Sequence, residues 1–303
     1  MSMDFHLDRD GFITKFLISG KKNTVFHDDS RDTNQLRYEK YLRELVGVYA
    51  ESAAVDSAAE TDSIRQGQMS LFVPARIGEK SQIGMPWRYY VSEGNVFVDD
   101  SDFYLEPRRV ELMAATKLVT DEAVDVAAGL WSYGAVRIWV NGRETMRIDR
   151  PVYKPVCRVK SVLHLEKGEN NVLVKLCTLG VRDTSISFAL QIMEKQEMIR
   201  VRLPDEEAAM PYIEAERILK QAKVRENKLI FKDPLPEGSF LRYRTGNIDF
   251  RKKENQIFVV SGKKEILLKE YPAFSVHIPM KGMTLQKSFE RIELCKAQFL
   301  DAP

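Results

Sequence analysis

The stretch Gly134-Ala135-Val136-Arg137-Ile138-Trp139-Val140-Asn141-Gly142-Arg143 constrains the fold of this chain more than any other. Val136, Ile138 and Val140 alternate with Arg137 and Trp139. That period of two places the aliphatic side chains on one face of a pleated strand and makes it a core face. Asn141-Gly142 then supplies the positive backbone dihedrals that a two-residue hairpin turn needs, because glycine has no Cβ and asparagine tolerates the left-handed region. The spacing predicts a return strand over 144–148. Leu163 to Leu176 repeats the grammar, with a polar turn at Glu166-Lys167-Gly168-Glu169-Asn170 and then Val172, Val174 and Leu176 in alternation. Together the two segments predict an antiparallel β-sandwich.

Elsewhere the same signals recur. Gly11 to Gly20 is an apolar, β-branched and aromatic run bracketed by glycines and reads as a first strand. Strands are expected over 85–91, 95–103, 109–119, 125–131 and 185–193, with a loop at 179–184. No helix interrupts the strands between 85 and 193, which favours antiparallel sheets over a parallel α/β fold. Helical spacing appears twice. Leu36, Tyr38, Leu42, Leu45, Val46 and Tyr49 follow the N-capping loop 28–34 and predict an amphipathic helix over 35–49, with Glu39 placed to pair with Arg43. Pro204-Asp205-Glu206-Glu207 opens a second, over 208–222, whose thin apolar face of Ile213, Ile218 and Leu219 predicts a connecting or surface helix. The stretch 50–68, rich in Ala, Ser, Asp and Glu, reads as a surface loop or short helix. Short strands at 229–231, 240–244, 256–260, 265–268 and 274–278, separated by Gly-containing turns, predict a smaller all-β unit. The expected organisation is a sandwich over 1–196, a helical connector over 197–222 and a smaller β-rich domain over 223–303.

"VRIWVNG", followed by "LEKGENNVLVKL", resembles the galactose-binding-like jelly-roll module at the N-terminus of many multidomain glycoside hydrolases. The run Gly11 to Gly20 is similar to the opening strand of those modules, with Phe16 in a tryptophan position and Lys21-Lys22 replacing Pro-Phe. The resemblance implies a fold, and it implies that the module does no chemistry and supports a catalytic domain elsewhere in its parent chain. The chain ends at Asp301-Ala302-Pro303 without a compositional close, and a parent that continues is expected.

Composition narrows the partners. Lys plus Arg number 46 against 44 for Asp plus Glu, so charge selects neither nucleic acid nor an anionic membrane. Cys157, Cys177 and Cys295 are odd in number and lack C-x-x-C spacing, which argues against a disulfide framework and a structural zinc site and for reduced thiols. The N-terminus carries acids and no apolar run, and no window reaches the roughly 18 apolar residues of a membrane span. A cytoplasmic location is the expectation.

No nucleophile elbow, zinc-protease or phosphate-loop motif occurs, and His6, His27, His164 and His277 are scattered. A glycosidase carboxylate pair is defined by separation in space, so it cannot be sought by spacing. No catalytic residue is therefore assigned. For ligand binding, Trp87, Tyr89 and Tyr90 can stack on the C–H face of a pyranose while Arg88 donates hydrogen bonds; the alternative is that they fill the core. Trp131 and Trp139 read as structural partners of the central strands. Arg182-Asp183-Thr184 and the acidic loop 28–32 are polar segments fit to line a site shared with a catalytic domain, or else loops closed by their own Arg–Asp pairs. Asp99, Asp100 and Asp102 offer oxygens to a calcium ion of the kind the resemblance implies, yet lack the glycine and terminal glutamate of an EF-hand, and a solvated turn is the alternative. No other cofactor is indicated. Exposed sheet edges permit a homo-oligomer without requiring one. Three functions stay open: an accessory region of a carbohydrate-active enzyme, a free-standing carbohydrate-binding module, and a complete hydrolase.

Overall fold

The computed structural model describes residues 3–25, 74–92, 94–149, 156–244, 256–268 and 273–290. The helix expected over 35–49 with its Glu39–Arg43 pair, the loops 28–34 and 50–68, His27 and Cys295 lie outside the described residues. The chain divides by its contacts into two units, Met1–Ala208 and Ala209–Pro303. It is mainly β, as the alternation predicts, and among the described residues every pairing of one strand with another is antiparallel, with a lone parallel bridge between Ile77 and Trp87.

The strands of the first unit are β1 (Phe5–His6), β2 (Leu17–Ser19), β3 (Lys22–Val25), β4 (Trp87–Tyr89), β5 (Val98–Asp99), β6 (Asp102–Thr120), β7 (Val124–Ser132), β8 (Ala135–Val140), β9 (Arg143–Ile148), β10 (Cys157–Leu165), β11 (Gly168–Thr184), β12 (Ser187–Ile192) and β13 (Arg200–Arg202). The larger sheet runs β1-β13-β6-β11-β8-β9, with β2 and β3 also pairing β6 and β4 pairing β2; the smaller runs β10-β7-β12-β5. Val110, Leu112 and Ala114 of β6 and Val172, Val174 and Leu176 of β11 join one hydrophobic cluster with Val126, Ala128 and Leu130 of β7 and Leu190 of β12. Both sheets thus close over a single core. The clean alternation expected of β8 is visible here, because Val136, Ile138 and Val140 all lie in that cluster.

The hairpin forms as its turn residues dictate. Asn141 and Gly142 adopt φ of 50° and 84°, and Val140 pairs with Arg143. The second motif behaves differently from a simple hairpin. β10 pairs β7 in the smaller sheet and β11 pairs β6 and β8 in the larger, so Glu166-Lys167 carries the chain from one sheet to the other.

The loop expected at 179–184 is a correction. β11 continues through it to Thr184, still paired with β6, and accommodates the change with an irregularity between Gly180 and Arg182. An extra residue in one strand bends and twists the ladder, and Arg182 takes up φ of 52° there. Gly180 is required by contact: a Cβ on it would lie 2.8 Å from both Tyr104 and Val110 side chains. The glycine that reads as a loop signal is a close approach inside a strand.

The helix α1 (Glu206–Gln221) starts where the acidic signal places it, with Asp205 Oδ1 accepting from the Ala208 amide at 3.4 Å. Seven of its residues are buried, including Tyr212 and Glu216, so the thin surface face expected from Ile213, Ile218 and Leu219 is too narrow a description. In the second unit, β14 (Lys223–Arg225), β15 (Lys228–Ile230) and β18 (Glu265–Leu267) form one small sheet, and β16 (Phe240–Arg244), β17 (Gln256–Val259), β19 (Ala273–Met280) and β20 (Met283–Glu290) form another in the order β17-β16-β19-β20. Tyr243, Phe274 and Phe289 fill its core, Phe274 stacking on Phe289 at 4.9 Å. Strand β20, not foreseen from the sequence, is turned back by Gly282 at φ of 82°.

Candidate functional site

The predicted stacking aromatics are buried. Trp87 and Tyr89 lie on the face of the larger sheet away from the shared cluster, and their relative exposures are 2% and 0%. Met113, Trp139 and Leu173 are buried as well and stand outside the shared cluster, so the larger sheet is covered on both faces. Tyr90 points the opposite way into the shared core, as a period of two requires. No open ring face remains for a pyranose, and the core alternative holds for these three residues. Trp131, partly buried, packs on Phe12 and under the Arg158 guanidinium, 4.4 Å from its ring.

Arg88 has another use. Its Nη2 donates to Asp100 Oδ1 at 2.8 Å, while Lys21 Nζ donates to Asp102 Oδ2 at 2.8 Å and to the Asp100 carbonyl at 3.0 Å. Asp99 Oδ1 accepts from the Ser101 amide at 2.9 Å and from the Ser101 hydroxyl. The Tyr90 hydroxyl donates to the Phe97 carbonyl at 3.1 Å and accepts from the Asp99 amide at 2.9 Å. The aspartate loop is therefore held by cations and local donors. The Lys21 hydrogen bond, then the Phe103 amide, holds the Asp102 carboxyl below its ordinary value. The calcium expectation meets a physical objection: a divalent ion at Asp100 and Asp102 would face the Lys21 and Arg88 charges already there. Among the described residues no group of three or more His, Cys, Asp or Glu is placed to hold a metal ion.

The register of β11 against β6 brings the other predicted residues to the same end, with Asp183 opposite Phe103 and Arg182 opposite Tyr104. Arg182 and Asp183 are exposed. Beside them Phe103 and Leu105, which the sequence reading passed over, show 55% and 87% of their surface to solvent. Tyr104 between them turns inward, its hydroxyl buried without a hydrogen-bond partner among the described residues. Burial first, then the Asp102 and Asp100 charges, push that hydroxyl up to about 12. We refer to this region as the loop end of the first unit.

The opposite end gathers the turns β6–β7, β8–β9 and β10–β11 around an open cleft of about 1070 Å³. Asn170, fully buried, organises it: Oδ1 accepts from Asn141 Nδ2 at 2.8 Å and from the Glu166 amide at 2.7 Å, and Nδ2 donates to the Glu166 carbonyl at 2.7 Å. Asn141 Oδ1 in turn accepts from the Asn171 amide at 2.9 Å. His164 Nδ1 lies 2.7 Å from Asp125 Oδ1, and Lys195 Nζ donates to the Asp125 carbonyl at 3.1 Å. Glu122, Arg143 and Glu166 also line the cleft, and their side chains have no partner among the described residues. No motif marks these residues. Counting strand reversals from β6 onward would have placed the three turns at one end, since alternate turns of an up-and-down chain share an end.

In the second unit Ser275 Oγ and His277 Nε2 are 2.7 Å apart. Burial, then Arg242, lowers the His277 pKa, and its ring stacks on Phe240 at 4.6 Å. A nucleophile–base pair needs a group that orients the base and stabilises its cation. Among the described residues the neighbours of the ring are Phe240 and Arg242, an apolar ring and a like charge. Cys157 is half-buried and Cys177 buried.

No protein-family model and no curated protein matches the chain. Among solved structures, a PA14 domain of the MpAFP antifreeze protein matches with a TM-score of 0.25 at 11% identity, over 32% of this chain and 54% of that one. A family 35 carbohydrate-binding module from Clostridium thermocellum matches with a TM-score of 0.21 at 12% identity, over 32% of this chain and 87% of the other. A β-glucosidase from Kluyveromyces marxianus in complex with glucose matches with a TM-score of 0.27 at 10% identity, over 70% of this chain and 49% of the enzyme. The chain thus spans about half the length of the first and last of these. Likenesses of this size carry no functional inference.

Proposed function

We propose that the chain is a non-catalytic region of a carbohydrate-active enzyme whose loop end seats a catalytic domain of the same parent chain. One observation carries this reading: Phe103 and Leu105 stand exposed on a strand end whose adjoining loop is pinned by Lys21 and Arg88. Large apolar side chains held out on a rigid support, beside exposed Arg182 and Asp183, suit a surface that another domain covers. The carbohydrate connection comes from the resemblance of the segments around Val136–Gly142 and Leu165–Leu176 to galactose-binding-like modules. Packing against that end would let the unit support or extend a neighbouring active site, with Arg182 and Asp183 at its rim.

The test has two parts. The reading frame is followed past Pro303, where a catalytic segment of a glycoside hydrolase is expected, and the longer protein is prepared with Phe103→Ser and Leu105→Ser. The double substitution should lower its melting temperature and its kcat/KM for a glycoside while leaving the isolated 303-residue chain as stable as before. Turnover of aryl glycosides by the 303-residue chain alone would sink the non-catalytic reading, and an indifferent double variant would sink the docking surface.

A free-standing carbohydrate-binding module is the second reading. The cleft at the turn end favours it, because its volume, about 1070 Å³, is large enough for a small-molecule site, slightly exceeding the usual range of roughly 300–1,000 Å³.

A further inference from the structure

We infer that the outer face of the sheet β17-β16-β19-β20 in the second unit is a binding site for a phosphate monoester, held by the Arg242 guanidinium and the Ser275 and Ser288 hydroxyls. The register builds the site. Ser275 of β19 stands between Arg242 of β16 and Ser288 of β20, while His277, two residues on, stands between Phe240 and Gln286. Cross-strand partners share a face, and so do residues two apart. These side chains therefore lie together, on the face opposite the Tyr243, Phe274 and Phe289 core. Ile257 and Val259 of β17 extend the same two rows, and neither row contains a carboxylate. Arg242 is exposed and makes no ion pair among the described residues.

A second observation says what is missing. His277 is only 7% exposed, fixed by the 2.7 Å contact with Ser275 and by its stack on Phe240, and the charge acting on it is that of Arg242. A buried base beside an unpaired cation lacks an anion. Donors from three adjacent strands match the three free oxygens of a monoester, one more than a carboxylate offers. Ile257 and Val259, 60% and 73% exposed, give apolar surface to the organic part. His277 sets what Ser275 can do. With a proton on Nε2 the ring donates to Ser275 Oγ, which leaves the hydroxyl hydrogen for the phosphate; with Nε2 bare the hydroxyl donates to the ring instead. Arg242 is the charged group facing the ring from β16, β20 faces it with neutral Gln286, and β17 adds Ile257 and Val259. A bound phosphate thus becomes the ring's one negative neighbour among the described residues and favours its protonated form. The inference rests on the second unit alone, and its failure would leave the docking surface of the first untouched.

The test is titration of the isotope-labelled 303-residue chain with phenyl phosphate, inorganic phosphate and phenol in low salt, read at backbone amides and at the His277 ring. Phenyl phosphate should give saturable shifts at Arg242, Ser275 and Ser288, bind at least about threefold tighter than inorganic phosphate because the phenyl group meets apolar surface, and raise the His277 pKa when saturating. Phenol should give no shift at these amides. Arg242→Gln, at an exposed position, should weaken phenyl phosphate about tenfold, as loss of a charged donor does. Ser288→Ala, also exposed, should weaken it about threefold or more through loss of one hydrogen bond. The inference is overturned if phenyl phosphate gives no saturable shift at these amides, if inorganic phosphate or phenol binds as tightly, if the His277 pKa stays put or falls on saturation, or if both variants bind like the parent.

Discussion

At the turn end of the first unit the turns are tied to one another by neutral amides, Asn170 and Asn141, with ion pairs such as Asp125–His164 and Asp121–Arg200 on exposed positions around them, whereas at the loop end the aspartate loop is held by Lys21 and Arg88 reaching across to Asp102 and Asp100. The two ends share β6 and β11, which at about 3.3 Å per residue span about 60 Å. One pair of strands therefore carries two different kinds of closure. Amide closures are part-buried and indifferent to salt. Ionic closures hold the loop to side chains distant in sequence, and they weaken as pH or salt changes. The difference predicts that the turn end is the rigid end and that stability lost at the loop end is small and condition-dependent.

The largest effect should come from Asn170→Ala. The substitution removes three part-buried hydrogen bonds at once, to the Glu166 amide and carbonyl and the Asn141 side chain, at about 0.5–1.5 kcal/mol each. A loss of about 3 kcal/mol in urea denaturation is expected. A loss below about 1 kcal/mol would mean that the amide network does not distinguish the turn end.

Gly180→Ala comes next. It probes the loop end by crowding instead of charge, because the added Cβ meets Tyr104 and Val110 side chains at 2.8 Å and Arg108 at 3.1 Å. Overpacking of this kind costs about 1–3 kcal/mol. The same change should shift the amide signals of Tyr104 and Arg182 and leave those of Asn141 and Asn170 in place. Equal shifts at both ends would break the comparison.

An alkaline arm of the stability curve is the third expectation. The Tyr104 hydroxyl titrates at about 12 in the folded chain and near its ordinary 10 when unfolded. Over that window the unfolded state loses its proton first. The stability that neutral Tyr104 contributes is complete below pH 10 and declines as pH rises from 10 towards 12. Tyr104→Phe should flatten this arm, read as urea midpoint against pH. An unchanged arm would assign the alkaline loss to another group.

How much of this was legible beforehand divides along the same line. The Asn141-Gly142 turn and the alternation of β8 could be read because the residues that make them are adjacent in sequence. Asn170 looked like one more polar turn residue, since its partner Asn141 becomes a neighbour only when β8 pairs with β11. Trp87 and Tyr89 were misleading for a related reason. An aromatic run beside a polar loop looks like a platform until the far face of the larger sheet proves to be covered too. Arg182 and Asp183 read as loop residues, and the strand through 179–184 was hidden because Gly180 serves a close contact and not a turn. Phe103 and Leu105 carried no signal, because exposure is a property of what fails to pack against a residue.

Asp102→Asn should give the smallest effect, and the most informative about the ionic end. The Lys21 hydrogen bond, then the Phe103 amide, lowers the Asp102 pKa from 3.8, so the folded state favours the carboxylate more than the unfolded state does. Its contribution is present above pH 3.8 and is lost as pH falls through the lower folded value. Because half of the side chain is exposed, the pair is worth only a few tenths of a kcal/mol. The variant and the parent should differ by that amount near pH 7 and converge as pH falls through the lowered folded pKa of Asp102, and 0.5 M salt should shrink the gap at neutral pH, in line with a Debye length of about 10 Å at 0.1 M and shorter above it. Asn170→Ala should respond to neither change. If the Asp102→Asn gap persisted unaltered in acid and in salt, the loop end would be closed by packing, as the turn end is, and the contrast between amide and ionic closure would not hold.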